Sequence, residues 1–150
     1  MIRMDRFTLK AQEAVAAAGR LARDARAPEL GPHHLLLALL EDSEGIVKPL
    51  LQKLEVPLPT LSVKVSELVG SGVKTSGQAL EVAPGPALLR VLELAVDEAG
   101  KMEDEFVSTE HLLLALAQSG EQTGKLLRNL GAGREKQLLA LANLRGGQRV

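Results

Sequence analysis

The chain of 150 residues has no cysteine, no tryptophan and no tyrosine, and only two phenylalanines. Without thiols there is no disulfide, no thiolate metal site and no cysteine nucleophile, a usage consistent with the cytosol. Without aromatic faces the chain lacks the platforms on which single-stranded nucleic acid and sugars stack. Neither sign of charge is in excess, since 18 Lys and Arg stand against 19 Asp and Glu, so nothing attracts a phosphate backbone. Long apolar runs are missing too: the longest Leu/Ala runs, Leu35 to Leu40 and Leu112 to Ala117, fall far short of the roughly 20 residues that span a bilayer. The opening MIRMDRFTLK carries charges within its first residues and has no apolar signal core. The expectation is a mature cytoplasmic chain with no nucleic-acid or membrane partner.

What is present is ordinary globular material, 45 % hydrophobic and 25 % charged, long enough to bury about 68–70 % of the unfolded surface without staples. One segment is written twice. Pro32 to Leu40, PHHLLLALL, returns as Thr109 to Ala117, TEHLLLALA, at an offset of 77. Ala18 then meets Ala95, Ala22 meets Ala99, Leu30 meets Val107, and KPLLQKL (48–54) meets GKLLRNL (124–130) after a one-residue slip. This is a duplication of a unit of about 70 residues, not a short-period solenoid.

Each unit reads as four helices. TLKAQEAVAAAGRLARDAR places Ala11, Ala14, Val15, Ala18, Leu21, Ala22 and Ala25 on one stripe behind Thr8 as N-cap. Gly31-Pro32 reads as N-cap and first residue of a second helix, and Ser108 holds the capping position in the second unit. IVKPLLQKL and TLSVKVSELV (60–69) supply the third and fourth helices, matched by EQTGKLLRNL and REKQLLALANL, which ends at Arg145 before Gly146-Gly147. The predicted class is all-α: one domain over 1–150, with repeat 1 at about 7–69, a mobile Gly/Ser/Pro-rich linker at about 70–84 and repeat 2 at about 85–145, related by a pseudo-twofold. The repeated segment is too continuously apolar for a two-faced surface helix, so both copies belong at the centre of one core.

No chemistry-bearing constellation survives inspection. The glycines miss the phosphate-loop pattern, because Gly72 to Gly77 is followed by Gln78, and Gly120 to Gly124 is one residue short with Leu126 after Lys125. His33, His34 and His111 lack metal-ligand spacing, and His34 and His111 read as one helix-start hydrogen bond copied by duplication. Ser43 and Ser108 have no triad partners at recognisable spacing. The sequence thus predicts no catalytic, cofactor-binding or metal residue. Two features remain. The run Glu103-Asp104-Glu105 with Glu110 is either helix-start capping or an acidic rim. Leu94 falls off the stripe of Leu88, Val91, Leu92, Ala95 and Ala99, beside Arg90, Asp97 and Lys101; it is either a lone exposed leucine or the floor of a groove for apolar segments.

The segments MDRFTLKAQEAV, HHLLLALLEDSEG, STEHLLLALAQSG and LRGGQRV together resemble the N-terminal Clp domains of ClpB-type protein disaggregases, over essentially the whole chain. The resemblance implies a domain without catalysis of its own, tethered before two ATPase modules of a hexameric ring that use ATP and Mg, and acting with a DnaK-type chaperone system. It also implies binding of unfolded or aggregated polypeptide through Thr8, Asp104 and Glu110, with Leu94 in an apolar groove. The isolated domain is expected to be a monomer. Relatives that recognise phosphorylated arginine carry Thr-Glu-His in both repeats, whereas this chain has Pro32-His33-His34 in the first, which argues against that role. The alternatives are an adaptor-docking domain of a Clp protease regulator and, from another class, a small-ligand protein or enzyme using the cleft between repeats.

Overall fold

Helix starts are set where the sequence supplies a cap. The computed structural model describes residues 2–76, 81–146 and 149–150; among these, regular structure is helical apart from two single-residue bridges. A 3-10 turn, Met4–Arg6, leads into α1 (Leu9–Asp24), where the Thr8 hydroxyl oxygen accepts the Ala11 N–H at 3.1 Å. α2 (Pro32–Glu41) and α5 (Pro86–Lys101) both start with Gly-Pro, where the missing proline N–H costs nothing. α6 (Thr109–Gln118) starts at Ser108. The remaining helices are α3 (Val47–Lys53), α4 (Leu58–Ser71), α7 (Gln122–Asn129) and α8 (Arg134–Arg145). α4 exceeds the predicted 60–69 at both ends, its earlier start possible because Pro59 is tolerated in the first turn. α8 ends at Arg145 on a left-handed Gly146, φ 57°; Gly147 lies outside the described residues.

The duplication extends to single hydrogen bonds. After α1, Arg26 turns left-handed (φ 58°) and Ala27 N–H reaches back to the Ala22 carbonyl at 2.9 Å. After α5, Glu103 does the same (φ 59°), with Asp104 N–H to the Ala99 carbonyl at 2.9 Å. Glu55 and Gly131 end α3 and α7 in matching fashion.

The lead-in segments are exchanged between repeats. Thr8 N–H donates to the Val107 carbonyl and Val107 N–H to the Arg6 carbonyl, at 2.9 and 2.8 Å. At the offset of 77 the same pair recurs: Gly85 N–H to the Leu30 carbonyl and Leu30 N–H to the Ala83 carbonyl, both 2.9 Å. Each repeat's entry segment therefore bridges the other repeat's loop between first and second helices. Helix contacts obey the same symmetry, α1 touching α6 as α5 touches α2, and α3 touching α6 as α7 touches α2. At the centre, every residue of α6 from Thr109 to Ala117 is buried, as its unbroken apolar run requires; from Pro32 to Leu40, α2 leaves only His33 and Leu37 half-buried.

The linker is anchored on either side of residues 77–80, which lie outside the described residues. On one side Thr75 N–H donates to the Arg26 carbonyl at 2.8 Å, and on the other Ala83 joins the Leu30 bridge. Thr75 and Ala83, on the two sides of those residues, are thus bonded to repeat 1.

Candidate functional site

Asp104 follows the left-handed Glu103 into the interior, and its side chain is fully enclosed. Oδ2 lies 2.6 Å from His111 Nε2, while Oδ1 accepts from Arg145 Nη2 at 2.6 Å and from the Val150 N–H at 3.0 Å. Burial alone would raise the carboxyl's pKa, but the Arg145, Val150 and His111 hydrogen bonds outweigh it and hold it below the ordinary carboxylate range. His111 Nδ1 accepts the Ser108 N–H at 2.8 Å, so the ring proton sits on Nε2 and is donated to Asp104. Glu110 is buried as well, bonded to the Ser108 hydroxyl and 3.6 Å from Arg145 Nε. Asp104 and Glu110 therefore form no surface rim. They pair inward with His111 and Arg145, the compensation that buried carboxylates require.

Exposed acids stand elsewhere. Beside the exchanged lead-in segment, Ile2, Arg3 and Arg6 face Glu93, Val96, Asp97 and Gly100 of α5 across a groove of about 460 Å³. Val107 lies in its floor and Glu105 at its end. Val96 is 42 % exposed, the uncovered edge of the α5 stripe. Arg3 is spent on Asp5 at 2.8 Å and Arg6 on the Glu105 carbonyl at 2.9 Å, whereas Glu93, Asp97 and Glu105 make no ion pair among the described residues. The groove thus combines an apolar floor with unneutralised carboxylates.

Leu94 does not line it. Leu94 lies on the opposite flank of α5, half-buried against the core and beside Arg90, Val91 and the turn from Gln118 to Glu121. Helical phase alone put it in water, but this turn of the second repeat folds over that flank. The same flank carries a buried residue that sequence reasoning missed: Glu98, 1 % exposed, accepts from Arg134 Nε and Nη2 at 2.5 and 2.9 Å and from Gln118 Nε2 at 2.7 Å. Thr8 is half-buried, and its hydroxyl is committed to capping α1. Of the four residues singled out, Asp104 alone borders the groove, and from its inner side.

Repeat 1 has the same helix-start bond, His34 Nδ1 accepting the Gly31 N–H at 2.9 Å. Ala27 takes the place of Asp104, however, and the buried His34 Nε2 has no partner among the described residues. Burial, followed by the adjacent His33, lowers the His34 pKa to about 4. Of the glycines that invited a phosphate-loop reading, Gly124 has packing work, Cβ atoms at Gly72 and Gly120 would meet nothing within 4 Å among the described residues, and Gly77 lies outside the described residues. A Cβ on Gly124 would come within 2.0 Å of the Ser119 carbonyl oxygen, so this glycine lets α7 close on the end of α6 and forms no anion cradle. No described helix is long and apolar enough to cross a membrane.

The family described as Clp repeat (R) N-terminal domain matches residues 6–130. The chaperone protein ClpB of Rhodopirellula baltica is 39% identical over 153 residues, which cover 99% of this chain and 17% of that protein. Among solved structures, the Hsp104 N-terminal domain from Candida albicans superimposes with a TM-score of 0.83 at 22% identity, over 95% of this chain and 93% of that one. A ClpV N-domain in complex with a VipB peptide gives a TM-score of 0.70 at 18% identity, covering 92% and 87% of the two chains.

Proposed function

The chain belongs to the Clp repeat N-terminal domain family, and from that premise we propose that it is the client-binding domain of a ClpB-type disaggregase, capturing exposed apolar segments of unfolded or aggregated polypeptides. It spans 17% of the length of the curated relatives it matches. Hydrolysis of ATP with Mg therefore belongs in this reading to modules elsewhere in a hexameric parent that works with a DnaK-type partner in the cytoplasm. This domain, a monomer by itself, contributes recognition without catalysis.

The observation that carries the reading is the groove between the lead-in segment and α5. Its uncovered Val96 gains by burial under an arriving apolar side chain. Its free carboxylates Glu93, Asp97 and Glu105 favour clients with basic residues beside the apolar ones. That a ClpV N-domain is known with a bound peptide supports peptide capture by this fold. Within the reading, Thr8, Asp104 and Glu110 are positioning residues: Thr8 fixes the exchanged segment against Val107, while Asp104 and Glu110 hold the loop that ends the groove. Leu94 supports α5 from behind.

The test is a backbone-amide NMR titration of the chain with an unfolded polypeptide rich in Leu and Lys. Shifts are expected along Ile2 to Arg6 and Glu93 to Gly100, weakening with added salt. Val96→Gln is an exposed substitution that should leave stability within roughly 0.5 kcal/mol, yet it places an amide where an apolar group must dock and should reduce binding. Shifts confined to the Leu94 flank, or full binding by Val96→Gln, would overturn the assignment.

A further inference from the structure

The exchange of lead-in segments makes a second groove, the pseudo-twofold mate of the first. It lies between α1 and the segment from Glu81 to Pro84, has a volume of about 620 Å³, and is floored by Val15, Leu30 and Val82. Its walls occupy the repeat-equivalent positions. Where the first groove has Glu93, Val96, Asp97 and Gly100, the second has Ala16, Gly19, Arg20 and Arg23.

Two consequences follow from those exchanges. Charge is reversed: Arg20 and Arg23 replace the acidic wall, with Glu81 the single carboxylate lining the groove. Arg20 makes no ion pair among the described residues, and Arg23 meets only its neighbour Asp24, at 3.7 Å. Beyond the end of α1, the exposed Arg26 and Lys74 add positive charge, Lys74 Nζ donating to the Ala25 carbonyl at 3.2 Å. Room is gained as well. Ala16 and Gly19 stand where Glu93 and Val96 fill the first groove, and a Cβ at Gly19 would meet nothing within 4 Å. A glycine in a helix interior costs helix stability, and no packing contact among the described residues requires it at Gly19; what it leaves among them is open space above an apolar floor.

From this pairing we infer that the α1 groove is a second polypeptide-docking site, specific for an extended acidic segment that presents a bulky apolar side chain such as Leu or Phe. The side chain enters over Gly19 onto Val15, Leu30 and Val82, and flanking carboxylates meet Arg20 and Arg23. The two grooves then sort client segments by charge, basic-apolar to α5 and acidic-apolar to α1.

The experiment titrates the isotope-labelled chain with a 12-residue peptide carrying Phe and Leu between aspartates, and with its twin in which lysines replace the aspartates. The acidic peptide is expected to shift amides of 15–23 and 81–84, and the basic twin those of the α5 groove. Gly19→Val, which restores the residue of the other groove, should weaken the acidic peptide about tenfold or more while melting no lower than the parent chain. Arg20→Glu should do the same by charge should Gly19→Val misfold. Val96→Gln, in the other groove, should leave the acidic peptide's shifts at 15–23 unchanged. Absence of basic-twin shifts in the α5 groove of the parent chain would defeat the α5 assignment and leave this one standing. Absence of acidic-peptide shifts at 15–23, undiminished binding by both α1 variants, or concentration-dependent shifts of those amides without peptide would overturn the inference, the last by making the groove a contact between copies of this chain.

Discussion

His34 and His111 are the same residue copied, given different surroundings. Each accepts a backbone N–H through Nδ1 at a helix start, but Asp104 receives the Nε2 proton of His111 while no described residue receives that of His34. Protonating His34 would create a buried cation with no counter-ion among the described residues, and its folded pKa falls to about 4 from the ordinary 6.5. Between those values the unfolded chain binds a proton that the folded chain refuses. The His34 contribution is therefore fully present above pH 6.5 and is lost as pH falls toward 4, a loss of about 1–3 kcal/mol. Asp104, with its lowered pKa, responds in a different window, losing its contribution only as acid protonates carboxylates. Glutamine at the third helical position keeps a capping acceptor without titrating. His34→Gln should therefore melt near the parent at pH 7.5 and lose much less stability by pH 4.5, as followed by circular dichroism. Residual slope is expected from His33, whose pKa burial also lowers. Parallel pH profiles for the two proteins would remove His34 as the source.

At the scale of elements, α5 shows what a helical period encodes and what it omits. The stripe of Leu88, Val91, Leu92, Ala95 and Ala99 is buried as the spacing predicts, because α6 packs along it. The flanks of the stripe look alike in sequence, and their fates are set by distant residues. The turn from Gln118 to Glu121, together with Arg134, closes the side of Leu94 and Glu98; only the short lead-in segment approaches the side of Val96, which stays open. The caps at Thr8, Gly31 and Ser108 were legible for the same reason as the stripe, since each depends on residues within one turn. Burial of Asp104 was not, because Arg145 and Val150 reach it from the far end of the chain. The energetic ordering follows this geometry. Leu92→Ala should cost about 2–5 kcal/mol through lost burial and a cavity. Leu94→Gln, at a half-buried site, should cost about 1 kcal/mol rather than the near-zero of an exposed position. Denaturant melts decide it, and equal losses for the two variants would put Leu94 in the core.

The whole molecule is constrained by how its repeats are joined. Had duplication placed two independent bundles side by side, each would close its own entry segment on its own loop. Here Phe7 bridges Val107 and Pro84 bridges Leu30, so a repeat separated from its mate loses both backbone bridges and the facing side of its central helix. Fragments 1–76 and 81–150, made separately, should therefore show no cooperative melt, since α2 and α6 would each expose an apolar face too large to leave in water. Mixed together they should recover the helical signal and a single transition. The linker contributes an effective concentration of order 1 mM. With a folding stability of about 5 kcal/mol or more, the fragments should associate with a Kd of about 0.2 µM or tighter. Calorimetric titration of one fragment into the other measures this directly. A cooperative melt by either fragment alone would mean that the repeats are separate folding units and that the exchanged bridges are incidental to stability; failure to associate at 100 µM would mean that covalent linkage, not the shared core, keeps them together.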